Sequence, residues 1–137
     1  MAHYLLDTNH ISPLVTIGHP LREKILTQRT SINTFAIATP ALSEFLFGVG
    51  MLLRAVQSFQ EWQQMRLDFI YYHIDAVDAE QAAQLRILLR RQGWQLGLVD
   101  ALVAVVALRN DLILLTTDKD FAGVPGLKIE NWRDLSQ

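Results

Sequence analysis

The sequence predicts an α/β fold, a single-domain α/β/α sandwich built around a short parallel sheet. The predicted strands cover residues 3–6, 35–39, 69–75, 112–116 and 127–131. They are short and largely apolar, they do not alternate between apolar and polar residues, and helical patterns separate most of them. Strands of this kind are typical of parallel sheets that are covered on both faces. A chain of 137 residues is expected to form one domain, over 1–137.

Proline, glycine and capping residues predict where the helices begin and end. Helical regions are expected at 8–15, 20–30, 40–66, 78–91 and 98–109. The first two are separated by a break at Gly18-His19-Pro20, and the third is expected to break at Gly48 or Gly50. Thr39 is predicted to cap the third region, with Pro40 as the first helical residue.

The region after residue 75 carries a predicted capping box and several residues with open interpretations. Asp78 with Gln81 resembles a capping box that opens a helix, and Gly93 is expected to end that helix. Trp94 then follows, as a loop anchor or as a base-stacking platform near a site. Two basic clusters are interpreted first as solvated helix faces and second as phosphate contacts: Arg86, Arg90 and Arg91, and Arg22, Lys24 and Arg29.

Composition narrows the possible classes of protein. The absence of cysteine excludes a disulfide framework and thiol-ligated zinc, and it is compatible with a reducing cytosol, so we expect a cytoplasmic location. The N-terminus lacks the basic region of a secretory signal, and no apolar run approaches the about 20 residues of a membrane span. The net charge of −2 argues against a nucleic-acid partner unless several acids are concentrated in one place.

Three acids follow predicted strands and are expected to meet at one edge of the sheet. Asp7 ends the first strand, Glu44 lies in the first turn or so after strand 35–39, and Asp118 follows strand 112–116. The carboxyl ends of parallel strands form one edge, where functional groups gather. Each acid could instead be a cap, a helix-dipole residue or part of a turn.

Asp100 is the acid for which a purely structural role is least favourable. It is the one polar side chain between Leu98 and Leu108, and no Lys or Arg lies at helical spacing from it within this run. A buried carboxylate without a partner is very unfavourable, so a divalent cation shared with other carboxylates is the expected partner. Strand alternation alone does not place Asp100 at the same edge as the other acids.

These segments resemble those of PIN-domain proteins, and more narrowly the VapC-type toxins of bacterial toxin–antitoxin pairs. The motifs are LLDTN at 5–9, SEF at 43–45, LVDALVAVVA at 98–107 and LLTTDKDF at 114–121. The resemblance implies a Mg²⁺- or Mn²⁺-dependent endoribonuclease that leaves 5′-phosphate and 3′-hydroxyl ends. It also implies a homodimer and inhibition by a small antitoxin protein. Part of the apolar series on 40–66 could then be a dimer or antitoxin groove rather than core.

The resemblance also implies roles for individual residues. Asp7, Glu44, Asp100 and Asp118 would form the catalytic acidic cluster, with Asp7, Asp100 and Asp118 as the metal ligands. Glu44 would bind through water or position the attacking water. Thr116 would orient water or phosphate, and Asn9 would steady Asp7 through a hydrogen bond.

The last motif departs from the pattern of the toxins, many of which carry Asn at the position of Asp118, with the acid further on. Either Asp118 or Asp120 could therefore be the ligand, and we favour Asp118 because it is nearer to the strand end. The four histidines show no ligand spacing, although His10 is close enough to Asp7 to line the pocket.

Other functions fit the sequence less well. A PIN-like module that binds RNA or protein without catalysis would be expected to have lost one or more of the four acids. A response-regulator receiver domain would need an acidic pair after the first strand, and a phosphatase with a nucleophilic aspartate would need Asp-x-Asp there. The DTN at 7–9 provides neither.

Overall fold

The structure, a computed structural model, describes residues 1–29 and 32–133. The strands are β1 His3–Leu6, β2 Thr34–Ala38, β3 Ile70–Tyr72, β4 Ile113–Leu115 and β5 Lys128–Glu130. The helices are α1 Thr8–Ile11, α2 Pro20–Gln28, α3 Thr39–Gly50, α4 Ala55–Met65, α5 Ala76–Arg91 and α6 Leu98–Arg109. Three short 3₁₀ helices cover Ser12–Val15, Arg66–Asp68 and Lys119–Gly123.

The five strands form one parallel sheet in the order β3-β2-β1-β4-β5. Consecutive residues of the central strands are buried, Tyr4 to Leu6 in β1 and Phe35 to Ala38 in β2. Since neighbouring residues of a strand point to opposite faces, both faces of this sheet are covered. The predicted α/β class with a parallel sheet is therefore confirmed.

The strand order β3-β2-β1-β4-β5 reverses direction next to β1. From β1 the chain builds outward through β2 and β3, and it then returns to the other side of β1 with β4 and β5. Ligand sites of open α/β sheets lie beyond the carboxyl ends of the strands at such a switch point. Asp7 directly follows β1, and Thr116 directly follows β4, so both lie at this switch point.

The direction of α6, which runs antiparallel to the strand that follows it, brings Asp100 to the same edge. The C-terminal end of α6 leads into β4 through a tight turn, in which Leu112 N–H donates to Ala107 O at 2.9 Å. The 12 residues of α6 rise about 18 Å, which returns its first turn to the carboxyl edge of the sheet. A helix that precedes its strand thus places Asp100 where strand alternation could not.

Contacts at both ends hold α5 against α6. Asp78 in the first turn of α5 pairs with Arg109 at the end of α6, with Oδ1 and Nε 2.8 Å apart. At the other end, Arg86 Nε donates to Leu96 O at 3.0 Å. The C-terminal end of α5 therefore lies beside the N-terminal end of α6, close to Asp100.

The C-terminal segment packs onto the sheet through aromatic side chains. The ring of Trp132 lies 4.8 Å from Tyr4 and 5.8 Å from Phe35, edge-on to both. Lys24 Nζ covers the indole at 4.1 Å from its centroid. Such contacts fix the residues after β5 against β1 and β2.

Two helix starts differ from the predictions. Thr39 is the first residue of α3 and Ala38 is its N-cap, because the backbone of Ala38 is still extended at the end of β2. The capping box of α5 consists of Asp75 and Asp78, each of which accepts from the backbone N–H of the other, so the predicted pair of Asp78 with Gln81 is wrong. The helix consequently begins at Ala76.

The remaining predicted boundaries are close but not identical to the observed ones. The region 40–66 divides after Gly50, whereas Gly48 lies inside α3. The region 8–15 divides into α1 and a 3₁₀ helix, since Pro13 cannot donate to the preceding turn. Helix α2 ends at Gln28, and the last predicted residue of that region, Thr30, lies outside the described residues. Strand β3 covers only Ile70–Tyr72 of the predicted 69–75.

No helix within 1–29 and 32–133 is both long enough and apolar enough to cross a membrane.

Replacing Arg109 is predicted to destabilise the fold by leaving a buried charge without its partner. Asp78 is fully buried, whereas the Arg109 side chain is 42% exposed. We expect Arg109→Ala to lower the free energy of unfolding by about 2–3 kcal/mol, because the carboxylate loses its charged donor. Adding Asp78→Asn should recover part of this loss. Equal stability of Arg109→Ala and wild type in urea unfolding would contradict the assigned role.

Candidate metal centre

Asp7 is a buried carboxylate held in place by two neutral side chains. Thr116 Oγ1 donates to Asp7 Oδ2 at 2.8 Å, and Asn9 Nδ2 donates to the same oxygen at 3.2 Å. The backbone N–H of Asp7 donates to Leu115 O, which ties the end of β1 to the end of β4. The second carboxylate oxygen of Asp7 is not used by these contacts.

The same threonine links Asp7 to the acids after β4. Thr116 Oγ1 accepts from the backbone N–H of Asp118 at 3.0 Å. Asp118 Oδ1 in turn accepts from the backbone N–H of Asp120 at 2.9 Å, at the start of a 3₁₀ helix. A turn that follows a strand directly therefore orients two carboxylates, with the hydroxyl of Thr116 fixing the first.

Three carboxylates meet closely enough to share one cation. Oxygen atoms of Asp100, Asp118 and Asp120 all lie within 4.8 Å of one another. Across residues 1–29 and 32–133, no basic side chain forms an ion pair with any of the three. An all-oxygen donor set without a cationic partner suits a hard divalent ion such as Mg²⁺ or Mn²⁺. This cluster is a candidate metal site.

Burial, and after it the neighbouring charges, raise the pKa of two enclosed acids of the site, Asp100 and Asp7. The pKa of Asp100 rises to about 7, chiefly because burial disfavours its charged form and further because Asp7, Asp118, Glu44 and Asp120 are nearby. Burial likewise raises the pKa of Asp7, against the opposing effect of its hydrogen bond from Thr116. A bound dication would reverse this preference and favour the ionised carboxylates.

Glu44 lies at the rim of the cluster. It is exposed, and Thr8 Oγ1 donates to its Oε1 at 3.2 Å. Its charge raises the pKa of both Asp7 and Asp100, which places it near them. Like Asp7, it is not one of the three mutually close carboxylates, and its exposure at the rim suits contact with a cation through water.

His10 has a structural role that the sequence interpretation missed. It is fully buried, its Nε2 accepts from the backbone N–H of Trp132 at 3.0 Å, and its Nδ1 lies 2.7 Å from Asn9 Oδ1. Burial first, and the charge of Arg133 second, lower the pKa of His10 to about 4, so the ring is neutral near pH 7. With Nε2 accepting, the proton is on Nδ1 and is donated to Asn9.

This network fixes the orientation of Asn9. Its Oδ1 accepts from His10 and from the backbone N–H of Thr117 at 3.1 Å. Its Nδ2 must then point to Asp7 Oδ2 and Thr116 Oγ1, each at 3.2 Å. The burial of His10 depends on Trp132, which is 122 residues away along the chain, and this explains why sequence reasoning gave the histidine only a lining role.

Trp94 anchors the loop between α5 and α6 beside this centre. Its Nε1 donates to the backbone carbonyl of Asp120 at 2.6 Å. This hydrogen bond agrees with the interpretation of Trp94 as a loop anchor. It also places the indole close to the acids after β4. The sequence left open whether Asp118 or Asp120 is the fourth acid. The fold brings both of them beside Asp100, so both are candidates.

A sequence model of the PIN domain matches residues 4–127 of this chain. The chain belongs to the PIN domain family. Among its relatives, ribonuclease VapC2 of Rickettsia felis is 29% identical over 136 residues, which cover 94% of this chain and 97% of the relative. The tRNA(fMet)-specific endonuclease VapC of Shigella flexneri is 28% identical over 141 residues, which cover 96% and 99%.

Solved structures agree with the fold. The crystal structure of VapBC2 from Rickettsia felis, bound to a DNA fragment from the promoter, contains a chain that matches with a TM-score of 0.81 and 26% identity. The match covers 95% of this chain and 98% of that one. The predicted membership of the PIN domain family is thus confirmed, together with the likeness to VapC proteins.

The site residues themselves stay predictions: the fold brings Asp100 and Asp118 into one cluster with Asp120, and it places Asp7 beside that cluster rather than in it. Asp7, Asn9 and Thr116 form one hydrogen-bonded group, and Asp100 and Asp118 form a second beside it. Glu44 is within electrostatic reach of both groups. Asp120 joins the second group as an additional candidate ligand.

Removing the carboxylate of Asp100 is predicted to stabilise the metal-free protein at high pH. A raised pKa means that this group stabilises the fold fully below pH 4 and that the contribution is lost as the pH rises through about 7. Asp100→Asn lacks this loss, so its advantage over wild type in thermal unfolding with EDTA should grow between pH 4 and pH 8. An advantage that stays constant with pH would contradict the pKa shift.

The proton position on His10 can be measured directly. We expect long-range ¹H–¹⁵N spectra at pH 7 to show one histidine as the Nδ1–H form, with protonation delayed until about pH 4. A lowered pKa implies stability that is complete above about 6.5 and is lost as the pH falls through about 4. His10→Phe should remove this signal, and an Nε2–H form in wild type would refute the network.

Proposed function

We propose that this protein is a metal-dependent endoribonuclease that hydrolyses RNA phosphodiester bonds with Mg²⁺ or Mn²⁺. The observation that carries the proposal is the approach of Asp100, Asp118 and Asp120 within 4.8 Å at the switch point of the sheet, without a basic partner among the described residues. Two relatives named as a ribonuclease and a tRNA endonuclease, each matched over nearly its full length, support the same chemistry.

Asp7, Asp100 and Asp118 would hold the metal, with Asp120 available as a further oxygen donor. The bound cation would lower the pKa of a water, stabilise the leaving oxygen and neutralise the phosphodiester charge. Asp7 would present its Oδ1 to the cation, since its Oδ2 accepts from Thr116 and Asn9. Glu44, exposed at the rim, would position the attacking water for in-line displacement.

Thr116 and Asn9 would hold the metal-binding acids in position. Thr116 Oγ1 connects Asp7 with the turn that carries Asp118, so it keeps the acids from different strands at a constant separation. Asn9 Nδ2 prevents the carboxylate of Asp7 from rotating, and His10 keeps Asn9 in the required orientation. A site held by such supporting hydrogen bonds is typical of metal centres.

The biological role that we propose is that of the toxin in a toxin–antitoxin pair. The R. felis structure is of a VapBC2 complex, and we infer that this chain likewise binds a small antitoxin protein and forms a homodimer. Exposed apolar residues where α3 meets α4, which include Phe47, Met51 and Leu53, offer a surface for such contacts. Action on RNA together with an antitoxin would place the protein in the cytoplasm.

Cleavage of RNA with defined end groups tests this proposal. The purified protein should cut RNA with Mg²⁺ or Mn²⁺, leave 5′-phosphate and 3′-hydroxyl ends, and stop on addition of EDTA. Asp100→Asn should reduce the rate at least about 100-fold, because the missing ligand weakens stabilisation of developing charge. Asp111→Asn is the matched control, since Asp111 lies at the opposite end of α6 and pairs with Lys128.

Calorimetric titration with Mn²⁺ separates metal binding from cleavage. Wild type and Asp111→Asn should bind Mn²⁺, whereas Asp100→Asn should lose most of the binding. At a free Mn²⁺ concentration of about 100 times its dissociation constant, binding should stabilise the wild type by about 2.7 kcal/mol. If no RNA is cut and no Mn²⁺ binds, even with a short RNA present, the carboxylates are structural and a non-catalytic binding module is the better description.

A further inference from the structure

A pocket with basic and aromatic walls lies beside the acidic cluster. It has a volume of about 250 Å³ and is lined by the C-terminal part of α5 and the loop that follows, including Arg86, Arg90, Trp94, Gln95 and Leu96. Pockets for drug-sized ligands measure roughly 300–1,000 Å³, so this one suits a smaller group. Its walls combine guanidinium groups with an indole, which are the groups that bind phosphates and nucleobases.

The indole of Trp94 occupies a defined position between the pocket and the acids. Its Nε1 donates to Asp120 O at 2.6 Å, while Asp120 places its carboxylate in the cluster with Asp100 and Asp118. A Cβ added to Gly123 would lie 2.8 Å from the indole ring, so the ring packs directly on a residue without a side chain. Trp94 is still 37% exposed, which is unusual for a tryptophan held this firmly.

The two arginines carry charge that the fold does not neutralise. Arg86 lies half-buried, with Nε donating to Leu96 O at 3.0 Å, and Arg90 is exposed one turn further along α5. In the part of the chain that the structure describes, no carboxylate forms a salt bridge with either. Positive groups therefore line the pocket together with Trp94, whose indole N–H binds the backbone carbonyl of Asp120.

We propose that Arg86, Arg90 and Trp94 form a binding subsite for single-stranded RNA, in which Trp94 stacks on one unpaired base and the arginines bind an adjacent backbone phosphate. The subsite would hold the nucleotide next to the bond that is cut, because Trp94 and the acidic cluster share Asp120. This inference rests on the proposed ribonuclease function and adds to it the contact that positions the strand.

Charge and chemistry favour an RNA strand over a protein partner. The chain has a net charge of −2, and a dense group of carboxylates at the metal site would repel RNA that lacked a nearby cationic contact. An aromatic face beside guanidinium groups is the common platform for unstacked bases, and it binds with little dependence on sequence. An acidic peptide would use the arginines but would gain nothing from the exposed indole.

Two substitutions of Trp94 distinguish base stacking from loop anchoring. Phe and Leu both lose the hydrogen bond to Asp120, but only Phe keeps an aromatic face. We expect Trp94→Leu to weaken binding of a fluorescein-labelled, unstructured RNA about 5- to 150-fold, with Ca²⁺ in place of Mg²⁺ to prevent cleavage, and Trp94→Phe to retain most of the affinity. Equal losses in the two variants would show that Trp94 is only a loop anchor and would overturn the subsite.

The salt dependence of binding tests the arginines. Each phosphate contact to a single strand contributes about 0.7 to the slope of log affinity against log salt. Arg90→Gln should make the salt dependence weaker, with the magnitude of that slope smaller by about this amount. Lys128→Gln is the matched control, because it removes one positive charge at the amino end of β5, where Lys128 pairs with Asp111, and it should leave the slope unchanged. Equal slopes for Arg90→Gln and wild type would refute the phosphate contact.

Tryptophan fluorescence supplies a readout that is independent of cleavage. Trp62 and Trp132 are only 3% and 6% exposed, so quenching by acrylamide reports mainly on Trp94. RNA should protect this fluorescence in wild type, and the protection should disappear in Trp94→Phe even though binding persists. RNA that binds without protecting Trp94 would overturn the subsite.

The outcomes also separate this inference from the proposed function. If wild type binds and cuts RNA but the Trp94 and Arg90 variants behave like wild type, the subsite is wrong and the ribonuclease function stands. If wild type neither binds nor cuts RNA with any metal, the proposed function fails, and the failure is visible before any variant is made.

Discussion

The concentration of negative charge where β1 and β4 lie side by side is the constraint on which the rest of this structure depends. Asp7 follows one strand, and Asp118 and Asp120 follow the other, while α6 adds Asp100. Burial first, and the charges of the neighbouring acids second, raise the pKa of Asp100, so its ionised form opposes folding when no cation is bound. The fold must therefore hold the acids in place through its neutral groups.

Neutral hydrogen-bond donors perform that task in the buried part of the site. Thr116, Asn9 and His10 contribute a hydroxyl, an amide and an uncharged imidazole, none of which would compete with a cation for charge. A lysine or arginine in the same place would pair with Asp7 and remove it from metal binding. The network extends from His10 to the backbone N–H of Trp132. Packing of the C-terminal segment on β1 and β2 therefore supports a site whose residues lie far from it in the sequence.

Much of the fold was predictable because strong local patterns determine it. Short apolar strands, two of which end at or near Asp7 and Asp118, predicted the parallel sheet and the edge at which these acids lie. Boundaries were less accurate where neighbouring residues compete for the same role. Both Asp75 and Asp78 can cap α5, and the earlier one does because β3 ends at Tyr72 and leaves Asp75 in an extended conformation.

The candidate site was predictable only in part, for a different physical reason. Asp100 could be selected by its apolar neighbours, but its location depends on α6 running antiparallel to β4, the strand that follows it, which no local pattern specifies. The same holds for Asp120 and His10. Asp120 turns toward Asp100 because a 3₁₀ helix follows Asp118, and His10 is buried because residue 132 returns to cover it. Long-range contacts thus decide the residues that sequence alone left open.

The pairing of α5 with α6 has a second consequence at the edge of the cluster. The salt bridge of Asp78 with Arg109 at one end aligns the two helices, and at the other end the alignment places Arg86 and Arg90 near the first turn of α6. Arg90, in the last turn of α5, also interacts favourably with the helix dipole. The helix pair therefore brings a carboxylate to the acidic cluster and positive charge to its border, which would give the proposed RNA substrate an attractive approach to a site that would otherwise repel it.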